Sequence, residues 1–405
     1  MDAGQISPRF SRLCNVVGIF APVAFVGAMV SFLSSGSSFG IDFAVFHLGG
    51  RTVRDGGFDS VYDRDGFRSA LAEYVPDADV ADSLTYFISP PPWAWIFQPL
   101  SAIDYPLALG LWLAAGALAL LYIVDRLDLP WMSLLLLVAS PAFVMNTAIG
   151  QSGVFFVLLG VLVHRACAND STVRAGLLLG LFIVKPPLAI GWVLWWLLDI
   201  RRWYRALIAA GVSSIVVSLP TLGNGGSAWR AYVGVLTERV ADEGGLRVNS
   251  PSFAEFVKLL HPGLSSTVTL VGWALALIVG ISILRLALQR FDSSAVISGA
   301  AVFATLASSP HLSIYDTGLI VIPLAVLAQQ GVLNRERVVV LWALYTAGIV
   351  FGPLWYESQV GILGRGIGLE FLTLIAIVAL SAKWLDAGHS RYWRMREPSM
   401  VSAST

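Results

Sequence analysis

The chain has 405 residues, of which 56% are hydrophobic and only 13% charged, and its mean hydropathy is +0.74. Soluble proteins carry about 25% charged residues, so a soluble globular domain is excluded and an all-α integral membrane protein is expected. A formal charge of zero argues against a nucleic-acid partner, which would call for a basic face.

Lysine is confined to Lys185, Lys258 and Lys383. The remaining positive charge is arginine, which keeps its proton and binds phosphate through a forked geometry. Cys14 and Cys167 lie in or beside apolar runs and offer neither a disulfide framework nor a metal cluster. No metal and no cofactor is expected.

Arg9 and Arg12 precede an apolar run over Cys14–Leu33. That run is long for a secretory leader and its end lacks an A-x-A site, so it reads as a retained first helix. Directly after it comes G-I-D-F-A-V-F-H-L-G-G-R-T-V-R-D-G-G-F-D-S-V-Y-D, residues Gly40–Asp63. Asp42 stands where the chain should leave the bilayer. There an ionisable group is costly unless it faces protein or water, which makes it a functional candidate. The alternative is an ordinary helix N-cap. Phe43, Phe46 and His47, followed by Arg51 and Arg54, form an amphipathic segment expected to lie on the membrane surface with its apolar face down. Gly49-Gly50 and Gly56-Gly57 read as turns rather than a phosphate cradle, since no strand precedes them. The D-R-D and D-A-D spacings of Asp63–Asp82 lack the full calcium-loop pattern.

Apolar segments of about 20 residues are centred near residues 25, 115, 140, 160, 185, 212, 275, 301, 320, 346 and 376, with a shorter one at Pro90–Ile103. Lipid leaves no partner for an open sheet edge, so about 12 helical crossings are expected. Positive charge sets the orientation. Arg201, Arg202 and Arg205, then Arg285 and Arg290, then Arg335 and Arg337 mark cytoplasmic loops. The tail with Lys383, Arg391, Arg394 and Arg396 joins them. The N-terminus is then inside, with extracytoplasmic loops at about 37–88 and 223–264 and a short outer link around His311. Arg165 and Arg174 flank a link that reads as cytoplasmic, which requires the helix through Lys185-Pro186-Pro187 to break at the outer face. Two consecutive prolines remove two backbone donors and favour that break. An uninterrupted Gly176–Leu198 helix is the alternative. Trp192, Trp195, Trp196 and Trp203 read as an interfacial belt. The expected organisation is one polytopic membrane domain over 1–396 and a disordered tail over 397–405.

This topology gathers polar residues on the outer side. They are Asp42 with Arg51 and Arg54, Lys185 at the broken helix, and Glu238, Arg239, Asp242, Arg247 and Asn249 in the second loop. His311, Tyr315 and Asp316 complete the group. A carboxylate, a histidine, a lysine and arginines beside the bilayer suit a lipid phosphate and a polar acceptor: the cations neutralise the phosphate and the carboxylate takes a proton from a hydroxyl. Each has a plainer reading. Lys185 could reach for headgroups, His311 could cap a helix after Pro310, and Arg239 and Arg247 could pair with Glu238 and Asp242.

With these residues laid out, the chain resembles the polyprenyl-phosphate-mannose-dependent mannosyltransferases of glycosyltransferase family 87, which have the GT-C architecture. The resemblance runs from about Phe20 to Trp384. It rests on D-F-A-V-F with D-S-V-Y-D, S-P-P-P-W-A-W-I-F-Q-P-L, G-Q-S-G-V at Gly150–Val154, K-P-P-L at Lys185–Leu188, V-N-S-P-S at Val248–Ser252, and S-P-H-L-S-I-Y-D. Phe46 stands where the family's opening continues toward an aromatic such as Tyr, and Tyr86-Phe87-Ile88-Ser89 stands where Tyr-Pro-Pro is expected.

The resemblance implies that Asp42 is the catalytic carboxylate and that Lys185 and His311 lie near the donor phosphate. The reading is a cell-membrane hexosyltransferase moving mannose from polyprenyl phosphate to a glycolipid or glycan hydroxyl, with inversion, on the outer face. Arg239 or Arg247 would assist at the phosphate, and Arg51, Tyr62, Gln151, Asn249, Tyr315 and Asp316 would touch substrate. No nucleotide-sugar site is expected, because there is neither a soluble domain nor a dinucleotide fingerprint. Two rivals remain. A transporter or flippase of lipid-linked sugars would place ionisable groups near mid-bilayer on broken helices, and a glycan polymerase or ligase would show a large late outer loop.

Overall fold

The computed structural model describes residues 39–74, 86–129, 137–138, 140–242, 266–309 and 312–331, together with 337, 341 and 345. The expected spans near 25, 346 and 376 and the C-terminal tail lie outside these residues. So do Arg247, Asn249 and His311, and the side chain of Arg239.

Among the described residues every regular element is helical. In chain order they are α1 (Ile41–Gly56), α2 (Arg64–Tyr74), α3 (Pro91–Phe97), α4 (Tyr105–Arg126), α5 (Pro141–Ile149), α6 (Gly153–Ala168), α7 (Thr172–Gly180), α8 (Ile190–Leu198), α9 (Ile200–Ser218), α10 (Gly223–Asp242), α11 (Ser266–Arg290), α12 (Ser294–Ser308) and α13 (Val321–Gln329). Three stretches are long and apolar enough to cross a bilayer: Tyr105–Arg126, Ile200–Thr221 and Leu270–Arg290. Each shows lipid-compatible side chains outward, such as Leu118 on α4, Ile208 on α9 and Ile278 on α11. Five shorter apolar helical stretches accompany them, Gly153–Ala168, Thr172–Val184, Pro186–Leu198, Ser294–Ser308 and Ile314–Gln329.

The stretch read as a surface helix is instead a buried one. Phe43 through Gly50 are all buried along α1, so no face of that length is left for lipid headgroups. The cause is the glycine pair. A Cβ on Gly49 would stand 2.7 Å from the Phe87 ring, and one on Gly50 2.7 Å from the Phe97 backbone. Gly49-Gly50 is therefore a close-approach site inside a helix and not a turn, and α3 packs directly on α1. Gly57, at φ +87°, does end the helix. The short segment Pro90–Ile103 forms α3 and a 3₁₀ turn over Leu100–Ala102, too short to span.

The tryptophans are also corrected. Trp192, Trp195, Trp196 and Trp203 are fully buried. The Trp196 and Trp203 rings stack at 5.6 Å with an interplanar angle of 5°, and the Trp192 indole N–H donates to Ser298 Oγ at 3.1 Å. Indole rings serve belts and cores alike, so clustering alone does not separate the two.

α8 crosses α12 at a third close contact. A Cβ on Gly191 would stand 1.8 Å from the Ala301 carbonyl and 2.6 Å from Thr305 Oγ1, which accepts the Gly191 N–H at 3.0 Å. Gly191→Ala is expected to cost about 3 kcal/mol, because backbone on both sides must separate. Thermal unfolding in detergent checks this against Gly211→Ala, where no atom stands within 4 Å of the added methyl.

Candidate active site

Asp42 is the second residue of α1, and the cap position belongs to Gly40, whose φ of +76° suits glycine. The Gly40 N–H donates to Ala148 O at 2.9 Å and its carbonyl accepts from the Tyr105 hydroxyl at 3.0 Å. Two other elements therefore hold the start of α1. The Asp42 carboxylate does not cap the helix, which removes the N-cap reading. Its Oδ2 instead accepts from Gln151 Nε2 at 2.8 Å.

Gln151 sits in the tight link between α5 and α6. Gly150, at φ +70°, makes the turn, and a Cβ there would meet Phe43 Cβ at 2.6 Å. The Trp112 indole N–H donates to Gly150 O at 3.0 Å and lies 3.3 Å from Gln151 O. Asn146 Oδ1 accepts the Val154 N–H at 3.2 Å, which satisfies a donor of the first turn of α6. The link is thus pinned from α1, α4 and α5.

Lys185 marks an interruption. The chain runs as a 3₁₀ turn over Leu181–Val184, reaches Lys185 at φ −152° and ψ 68°, and resumes as a 3₁₀ turn over Pro186–Ala189. The helix does break at K-P-P, and the uninterrupted alternative is excluded. The Lys185 ammonium turns inward. It pairs with Asp316 Oδ1 at 2.5 Å and stands 4.5 Å from the centre of the Tyr315 ring. The headgroup reading of Lys185 does not fit that pairing.

Tyr315 and Asp316 lie on a 3₁₀ segment, Ile314–Ile320. The Tyr315 hydroxyl accepts from Gln151 Nε2 at 3.1 Å. Asp316 is buried and spends Oδ2 on the Ser313 N–H at 3.0 Å. A Cβ on Gly153 would meet Tyr315 O at 2.7 Å, so glycine lets this segment close on α6. The result is one continuous set: Asp42, Gln151, Tyr315, Lys185 and Asp316.

Burial pushes the Asp42 carboxyl up to about 6, against the opposing effects of the Gln151 hydrogen bond and the Lys185 charge. A carboxylate titrating there is ionised at neutral pH yet basic enough to accept a proton, as a general base requires. Among the described residues no group of three His, Cys, Asp or Glu side chains converges on a metal position.

Two of the expected site residues go elsewhere. The Tyr62 hydroxyl donates to Ser89 O at 2.7 Å, with its ring against Phe87 and Tyr232. Arg51 is exposed and lies 3.6 Å from Asp55. Arg54 donates to Ser101 O at 2.9 Å. His47 is buried farther along α1, with Nδ1 2.6 Å from the Tyr74 hydroxyl and Nε2 3.1 Å from Ile103 O. Two residues that hydrogen-bond to the set were not singled out from sequence, Ser152 on Gln151 and Ser313 on Asp316. Their one signal is position, a small hydroxyl residue beside a Gln or three residues before an Asp.

Among the described residues the elements are helical, three stretches are apolar enough to span, and a buried carboxylate lies beside a lysine, which suits a membrane protein. The sequence profile of glycosyltransferase family 87 matches residues 87–310, more than half of the chain. The chain belongs to that family and is a membrane glycosyltransferase. Gln151 and Lys185 fall inside the matched region, and Asp42, Tyr315 and Asp316 outside it. No curated protein and no solved structure matches the chain.

Proposed function

We propose that this glycosyltransferase moves mannose from a polyprenyl-phosphate donor to a hydroxyl of a glycolipid or glycan, with inversion, on the extracytoplasmic face of the cell membrane. The observation that carries the reading is the juxtaposition of Asp42, held by Gln151, with Lys185 across the Tyr315 ring.

Asp42 takes the proton of the acceptor hydroxyl as its oxygen bonds the anomeric carbon. On the opposite side the bond from that carbon to the phosphate oxygen breaks. The electron pair stays with the departing polyprenyl phosphate, which gains one negative charge. Lys185 meets that growing charge. His311 and an arginine from the second loop, Arg239 or Arg247, complete the phosphate site in this reading, and Asn249 is assigned to substrate binding. The whole machine is a single polytopic unit of about 12 crossings.

Purified full-length protein in nanodiscs, given radiolabelled polyprenyl-phosphate-mannose and a membrane lipid extract, is expected to pass label into a glycolipid. Because Asp42 must be ionised, turnover should rise with pH along an acid limb near 6. No transfer from this donor to any acceptor extract would overturn the donor assignment. The interrupted helix at Lys185 is the feature a carrier would share. Scrambling of a fluorescent lipid-linked sugar between the leaflets of reconstituted vesicles tests that rival, and the expected result is none.

A further inference from the structure

The structure assigns Gln151 as the positioning residue of Asp42: its amide is spent entirely within the protein and fixes which oxygen of that carboxylate receives the proton. This deepens the proposed function and rests on Asp42 being the base.

A glutamine amide has two donor hydrogens and two acceptor lone pairs. Here all four have partners. Nε2 donates to Asp42 Oδ2 at 2.8 Å and to the Tyr315 hydroxyl at 3.1 Å. Oε1 accepts the Ser152 N–H at 2.9 Å and the Ser152 hydroxyl at 3.1 Å. A flipped amide would set its NH₂ against the Ser152 N–H, donor on donor, so the backbone itself fixes the orientation. With its hydrogens and lone pairs committed, Gln151 has no group left for a sugar. Its effect passes through Asp42. By occupying Oδ2 it leaves Oδ1 to receive the acceptor's proton, and by donating to the anion it holds the carboxylate ionised.

Among the described residues, the charged and titratable groups near this carboxylate are few. Lys185 comes from the break between α7 and α8 and acts on Asp42 directly, while Asp316, on the 3₁₀ segment, pairs with that lysine. Tyr315 is bridged through Gln151, and Tyr105 reaches the Gly40 carbonyl at the start of the same helix. Of these, Lys185 and Gln151 both favour the anion, so removing Gln151 leaves Lys185 alone against burial.

The test is a pH titration of the protonated-carboxyl infrared band in full-length protein, assigned by its loss in Asp42→Asn. Gln151→Met keeps the volume and removes both donors. Its Asp42 midpoint is expected to move up by about one pH unit. The acid limb of mannose transfer should move with it, while the KM for polyprenyl-phosphate-mannose stays near wild type. An unmoved midpoint with a raised donor KM would make Gln151 a substrate contact and overturn the assignment. An unmoved midpoint with only a lower melting temperature would make it a packing residue and overturn the assignment equally. Where Gln151→Met does not yield folded protein, Gln151→Asn decides, since its shorter amide cannot reach both partners and should shift the midpoint the same way. The base assignment is judged separately. If Asp42→Asn keeps its turnover, the proposed mechanism fails, and the infrared midpoint still decides whether Gln151 governs Asp42.

Discussion

Asp42→Asn is expected to lower the turnover of sugar transfer by about 10³-fold while leaving donor binding close to intact, as removal of a general base does. The replacement is nearly isosteric, and its carbonyl oxygen can still accept from Gln151 Nε2, so the site keeps its shape. Only the ability to take a proton is lost. Proton linkage makes the result hard to mistake for unfolding. The folded-state carboxyl titrates near 6 and an exposed aspartate at 3.8, so burial disfavours the anion. The stability that Asp42 contributes is therefore present below 3.8 and lost as pH rises through about 6. At neutral pH the Asn variant should melt at or above the wild-type temperature while being nearly inert. Initial rates at saturating donor, binding of labelled donor and thermal unfolding together form the measurement. Retention of most of the turnover would remove Asp42 from the mechanism.

The candidate itself was legible in the sequence because an ionisable residue beside an apolar run carries an energetic cost that something must offset. The break at Lys185 was legible for a similar reason. Two prolines in succession lack N–H groups, and no other residue type declares a local interruption so directly. What offsets the cost of Asp42 was not legible. Gln151 lies 109 residues away, and nothing in G-Q-S-G-V announces that its amide meets a carboxylate on α1. Its partners come from tertiary closure: Gly150 against Phe43, and Gly153 against the Tyr315 carbonyl.

The misread burial of α1 has the same origin. Phe43, Phe46 and His47 followed by Arg51 and Arg54 do form an amphipathic pattern, and its arginine end is exposed at Arg51 and Arg54. The glycine pair then opens a second face to Phe87 and to the backbone of Phe97. A period-based reading treats glycine as neutral and so cannot see a face whose purpose is to be absent. The tryptophan cluster fails for a related reason, since an amphipathic ring suits an interface and a packed core equally. Local chemistry was readable; whatever depended on which helix lies opposite was not.

Lys185→Met should be the most damaging substitution in the set, and the double variant with Asp316→Asn shows why. Asp316 is wholly buried, and its two oxygens meet the Lys185 ammonium and the Ser313 N–H. Deleting the lysine strands a buried carboxylate, a loss of about 3–5 kcal/mol. The same deletion takes away the cation proposed for the donor phosphate, so stability and transfer fall together and the single variant cannot separate them. Adding Asp316→Asn removes the stranded charge. The asparagine carbonyl can still accept from Ser313, and the melting temperature should recover most of the way. Transfer should not recover, since nothing in the double variant replaces the ammonium. Asp316→Asn alone is milder, because Lys185 is 21% exposed and keeps the Tyr315 ring beneath it. The three variants make a double-mutant cycle with two readouts. A double variant that regains transfer would reduce Lys185 to a counter-ion of Asp316. One that stays as unstable as Lys185→Met would show that the pair is not coupled in the folded protein. Recovery of stability without recovery of transfer assigns Lys185 both tasks, holding the Tyr315–Asp316 segment against the broken helix and meeting the charge of the departing phosphate.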